Sequence, residues 1–358
     1  MLRNWSEANA DPGGITPADL KACRALLSNG SRTFHAASLF LPTSVRSSAT
    51  ALYAFCRVAD DAIDADGGTS AAVAQLRYRL DRIYRGRPSP VAADRAFAAV
   101  VHRFGIPREL PDALIEGFAW DAEGRCYASL EELSGYAARV AGTVGAMMSL
   151  IMGARAPEVV ARACDLGVAM QYTNIARDVG EDARMGRLYL PRDWLLEAGI
   201  DADAWLRNPV FTPAIGDVVA RLLAAAEELY RRAETGIASL PAGCRPGMQA
   251  ARFIYAAIGD EVARQQFDSV SQRAYVGPSR KVALALVATL AALLPRSPSP
   301  APALPATRFL VSAVTDAVSS PTESPSVIEH RVVWLLGLFE RLERRHRSES
   351  GWNGPAVV

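Results

Sequence analysis

The chain has 358 residues, half of them hydrophobic and 22% charged, with a formal net charge of +1. That balance is globular, and it supplies no global basic field that would suggest a nucleic-acid partner. The five cysteines (Cys23, Cys56, Cys126, Cys164, Cys244) show no CxxC spacing, which argues against a zinc cluster or a disulfide framework and fits a reducing cytoplasm.

Taken in chain order, residues 1–17 lack the apolar core of a signal peptide and read as a flexible N-terminus. From 18 to 295 the sequence reads as helix nearly throughout. Runs such as AAVAQLRYRLDRIY (71–84), DVVARLLAAAEELYRRAETGI (217–237) and AARFIYAAIGDEVARQQFDSV (250–270) repeat apolar residues at three- and four-residue steps. No stretch alternates β-branched and polar residues in a way that compels a strand. The expected class is therefore all-α. The most apolar stretch, Val282 to Pro295, is shorter than the roughly 18–20 residues that span a bilayer, so it reads as a buried or surface-lying helix. Residues 296–306, RSPSPAPALPA, read as a Pro/Ser/Ala linker that ends the globular body near Pro295. A tail follows over 307–358. Within it Val332 to Arg347 is an amphipathic helix with a basic end, suited to docking on the body or to a membrane surface.

Two acidic motifs echo each other. In YAFCRVADDAID, Asp60 and Asp64 are four apart and share a helix face with Tyr53 and Arg57, while Leu52, Phe55, Val58 and Ile63 make the flanks apolar. In QYTNIARDVGED, Gln171, Asn174, Asp178 and Asp182 step by three, four and four along one face. Asp61 and Glu181 fall off these faces and are expected to meet solvent or arginine. Stacked carboxylates on mostly buried helices are costly unless something positive joins them. Oxygen ligands without His or Cys select Mg²⁺, with Mn²⁺ as the alternative. Two facing helices of this kind would hold the metal against a diphosphate and help an allylic C–O bond ionise, with Arg57 and Arg177 gripping phosphate oxygens.

These segments resemble the squalene/phytoene synthase family. The resemblance rests on LGVAMQYTNIARDVGEDARMGRLYLP (166–191), YAARVAGTVGAMM (136–148), SRTF (31–34) and ALYAFCRVADDAID (51–64), and covers about residues 18–285. Within the family the wording is most similar to the bacterial enzymes that make phytoene. The resemblance implies a single-domain isoprenoid-synthase-type helical bundle with a central active-site cavity. It implies Mg²⁺-dependent head-to-head condensation of two geranylgeranyl diphosphates, through prephytoene diphosphate, to 15-cis-phytoene, the first committed step of carotenoid biosynthesis, with no NADPH. A C30 dehydrosqualene or presqualene diphosphate synthase is the sister alternative; a non-catalytic assembly relative would be expected to lose the Asp pairs.

By resemblance, Asp60, Asp64, Asn174, Asp178 and Asp182 would bind metal. Ser31, Thr33, Tyr53, Arg57, Arg177 and Arg187 would hold diphosphate. Phe34 and Gln171 would line the pocket, and Tyr189 and Tyr255 would stand near the reacting carbons. His35 reads as structural. The small residues Ala141, Gly142, Gly145 and Ala146 would either make room for a twenty-carbon chain or let two helices pack closely. The greasy substrate and product imply peripheral contact with the inner membrane from the cytoplasm and hand-over to a phytoene desaturase.

Overall fold

The computed structural model describes residues 14–30, 37–65, 70–294 and 301–319. Among these residues there are helices and no strands. They are α1 (Pro17–Gly30), α2 (Thr43–Ala65), α3 (Ser70–Tyr84), α4 (Ala92–Phe104), α5 (Glu109–Ala122), α6 (Leu130–Ala137), α7 (Thr143–Ile151) and α8 (Pro157–Arg184). Then come α9 (Arg192–Glu197), α10 (Ala202–Arg207), α11 (Pro213–Ala238), α12 (Arg245–Arg264), α13 (Pro278–Ala291) and α14 (Arg308–Ser319). Proline stands in the first turn of α8, α11, α12 and α13, where its missing N–H costs nothing. Ser129 and Thr212 cap α6 and α11 by accepting from Glu132 N and Ile215 N.

The bundle is organised around α8, which packs along α11 and against α7 and α12. Two glycines permit this. A Cβ on Gly145 would stand 2.1 Å from Ala163 O, and one on Gly167 would stand 2.2 Å from Ala141 O. The backbones of α7 and α8 therefore touch with no side chain between them. The chain enters α7 through a π-helical turn, Ala138–Gly142, and such turns favour functional positions.

Two segments depart from the sequence expectation. The periodic run to Val270 breaks at Arg264, because Gln266 and Phe267 take left-handed φ values of 55° and 60°. Phe267 N then bonds back to Val262 O, and the Asp268 side chain accepts from Val270 N and Ser271 N. Beyond Pro295, residues 301–319 pack rather than hang: Thr307, Leu310 and Val314 are fully buried, and the compact unit runs to Ala317. The amphipathic segment 332–347 and the N-terminal residues 1–13 lie outside the described residues. The apolar helix α13 lies on the surface. Ala285 and Ala288 face inward while Val282, Leu286, Leu290 and Leu293 are exposed. No helix among the described residues is long and apolar enough to cross a membrane.

Candidate active site

Around the acidic motif of α2 the buried positions include Leu52, Ala54, Phe55, Ala59 and Ile63, which leaves Tyr53, Cys56 and Asp60 partly open on one side. Arg57 reaches 2.7 Å from Asp61 and 4.0 Å from Asp60. Burial raises the Tyr53 phenol, with Arg57 opposing. Asp64 lies one turn beyond Asp60 on the same helix, but its side chain is outside the described residues. Ser31, Thr33, Phe34 and His35 are outside them as well.

On α8 the face expected from spacing is the face left partly open. Gln171, Asn174, Arg177, Asp178 and Asp182 are half-buried in a helix otherwise largely sealed. Arg177 Nε donates to Asp178 Oδ1 at 2.7 Å. A second arginine, Arg273, stands 2.8 Å from Asp178 and 2.9 Å from Glu181. Its placement depends on Gly180. The left-handed turn after α12 brings Ser269 O to Gly180 N at 2.9 Å, and a Cβ on Gly180 would stand only 2.0 Å from Val270 O. Asp61 and Glu181, the acids off the two faces, thus both meet arginines. Asp182 has a different setting. Burial pushes its carboxyl up to about 7; Asp178, Glu181 and Asp121 push the same way and Arg187 opposes.

Asp121, at the end of α5, was not legible as a site residue. Tyr136 and Tyr189 both donate to it, each at 2.7 Å, and their rings stack 5.3 Å apart. Tyr136 was visible as the first residue of a signature, but nothing in the sequence tied it to Asp121. Arg187 and Tyr189 share a small recess with Asp182, walled otherwise by Ile175, Val179, Leu188 and Leu190.

Both helices wall one cavity of about 270 Å³, α2 through Tyr53 and Cys56 and α8 through Gln171 and Asn174, while Asp60, Arg57, Arg177, Asp178 and Asp182 are not among its lining residues. Tyr53, Cys56, Gln171, Asn174 and Tyr255 line its polar end; Leu41, Leu52, Met148, Leu166 and Met170 make it apolar. Its wall on α8 runs from Asn174 back to Val159, about 22 Å at 1.5 Å per residue. Ala141 and Gly145 line it too, so the small residues serve both close packing and space.

Among the described residues, no three His, Cys, Asp or Glu side chains form a ready-made metal cage. The donor set still suits a hard cation. Asp182 sits buried amid Asp178, Glu181 and Asp121, an excess of negative charge that a divalent ion bound partly through water and phosphate would relieve.

A helical bundle in which two acid-bearing helices wall a long apolar cavity is an isoprenoid-synthase-type fold. The squalene/phytoene synthase family model matches residues 27–280. A phytoene synthase of Rhodobacter capsulatus is 55% identical over 79% of this chain and 86% of its own length. One from Cereibacter sphaeroides is 52% identical over 88% and 93%. A crystal structure of a dehydrosqualene synthase with ligand superposes with a TM-score of 0.70 at 30% identity, over 76% of this chain and 96% of that one. The chain belongs to the squalene/phytoene synthase family.

Proposed function

We propose that this protein joins two geranylgeranyl diphosphates head to head to give phytoene, using Mg²⁺ and no reductant. The observation that carries the reading is a long apolar cavity whose polar end is lined by Tyr53 of α2 and Gln171 and Asn174 of α8, the two helices that carry the paired aspartates and their arginines one or more turns further along. The high identity to bacterial phytoene synthases supports the twenty-carbon substrate.

Asp60, Asp64, Asp178 and Asp182, with Asn174, would hold Mg²⁺, which neutralises charge on the departing diphosphate. Arg57, Arg177, Arg187 and Arg273 would exchange carboxylate neighbours for phosphate oxygens, and Ser31, Thr33 and Tyr53 would add hydrogen bonds. The C1–O bond of one substrate breaks, and the C2–C3 double bond of the second attacks the allylic cation. Loss of a proton closes the cyclopropane of prephytoene diphosphate. Its own C–O bond then ionises, the skeleton rearranges, and a second proton leaves to form the central double bond. Because that last step is an elimination, no hydride is consumed. The apolar wall, with Gln171 at its polar end, would keep water from the cations, and Phe34 is expected to add to it. The phenol of Tyr255, on the cavity wall, would present its π-face and oxygen to them, whereas Tyr189 lines the recess beside Asp182 and shares Asp121 with Tyr136.

The exposed apolar face of α13 supports peripheral contact with the cytoplasmic face of the inner membrane, where a phytoene desaturase would receive the product. The test of the activity is incubation with Mg²⁺ and either geranylgeranyl or farnesyl diphosphate, without NADPH, with the lipid read by mass. A C40 hydrocarbon from the former is expected. A C30 product alone, or a cyclopropyl diphosphate that goes no further, overturns the reading.

A further inference from the structure

The cavity ends in charge. At the end remote from the aspartates its wall includes Val159, Arg162, Ala163, Gly236 and Ile237. Arg162 lies sixteen residues before Asp178 on the unbroken helix α8, about 24 Å away along the axis. It is buried, only 3% exposed. Its guanidinium is 2.9 Å from Asp165, which is fully buried and is shared with Arg232 at 2.9 Å. Gly236 on α11 makes room for the stem, since a Cβ there would stand 2.3 Å from Arg162 Cβ.

Behind Arg162 lies the segment that the sequence had suggested was loose. Arg162 Nη1 and Nη2 donate to Ala301 O and Pro302 O at 3.1 Å each, and Arg232 Nη2 donates to Pro302 O at 2.7 Å. The strap is anchored further on by Leu310, which packs 3.3 Å from where a Cβ of Gly142 would be. Arg162 therefore stands between the hydrocarbon cavity and the strap, tied on both sides.

We infer that Arg162, clamped by the Ala301–Pro302 strap and Asp165, is the stop that sets the greatest prenyl chain length the cavity accepts. The inference rests on the proposed prenyl-diphosphate activity. An apolar side chain at a cavity floor yields by changing rotamer. A guanidinium held by two carbonyls and a buried carboxylate yields only by leaving buried charge unpaired, which is strongly unfavourable. A chain one isoprene unit too long must displace it. A chain one unit too short merely leaves contacts unmade, a milder loss. Discrimination should accordingly be steeper against longer substrates than against shorter ones.

The test compares farnesyl, geranylgeranyl and geranylfarnesyl diphosphates with the full chain, Mg²⁺ and product mass as readout. The wild type is expected to use geranylgeranyl diphosphate and to reject the twenty-five-carbon substrate more sharply than the fifteen-carbon one. Arg162→Ala is expected to raise the kcat/KM ratio of geranylfarnesyl to geranylgeranyl diphosphate at least tenfold. Ala163→Phe, which fills the cavity just above the stop, is expected to shift preference at least tenfold toward farnesyl diphosphate. A ratio within twofold of wild type in a folded Arg162→Ala protein overturns the inference. If that variant does not fold, Ala163→Phe decides it, and an unchanged preference there overturns it. A wild type that makes no product from any of the three overturns the activity itself, a separate outcome.

Discussion

On α2, Arg57 is satisfied by Asp61 of its own helix, and the pair is about half exposed. On α8, Asp178 is held by Arg177 next to it and by Arg273, which arrives from 95 residues further along the chain. Burial and the neighbouring Asp178, Glu181 and Asp121 push the half-buried Asp182 carboxyl up to about 7. The same Asp-x-x-x-Asp spacing thus makes one face whose arginine comes from its own helix and one face gripped by an arginine from far along the chain. Local spacing creates the face, but tertiary neighbours decide its charge.

The comparison breaks most sharply in turnover. Asp60→Ala and Asp178→Ala should each retain the fold and cost several kcal/mol of transition-state stabilisation, on the order of a thousandfold in kcat at tenfold per 1.36 kcal/mol. Near-normal Mg²⁺-dependent activity in either would refute the ligand assignment. Gly180→Ala affects the α8 side alone. The new Cβ would meet Val270 O, an overpacking that costs roughly 1–3 kcal/mol, and it would push Arg273 off Asp178. A lowered Tm together with a raised KM is expected. A Tm equal to wild type would show that the close approach does not hold the 269–273 segment.

A pH experiment sharpens the contrast. The Asp182 pKa is raised from 3.8 to about 7. Between those values the folded protein keeps a proton that the unfolded chain has released, so metal-free stability falls as pH rises through this window and levels off above about 7. Asp182→Asn should remove that slope and raise the metal-free Tm at pH 8 by about 2–4 °C per kcal/mol regained. Equal melting curves for wild type and Asp182→Asn across pH 5–8 would remove the buried-charge account. The smallest effect belongs to Asp61→Asn, which loses an exposed ion pair worth about 0.5 kcal/mol. Its Tm should stay within a degree or two, and a larger drop would mean that α2 is less free-standing than its exposure implies.

Much of this was legible in the sequence. The helices follow from three- and four-residue periodicity, and the partly open stripe of α8 is the one its spacing predicts, because a helix face is a local property of 3.6 residues per turn. Ala141, Gly142, Gly145 and Ala146 could be read as making space or as close packing, and Gly145 does both, lining the cavity and letting the α8 backbone approach. Tertiary contacts alone decided the rest. Arg273 reaches Asp178 because a left-handed turn at Gln266–Phe267 lets Val270 sit against Gly180. Asp121 joins Tyr136 to Tyr189 across three separate segments. Residues 301–306, which have the composition of a linker, are held by Arg162 and Arg232. A carbonyl's partner from more than a hundred residues away leaves no trace in the local pattern. Composition reports what a segment cannot bury by itself, and only the folded neighbours determine what they bury for it.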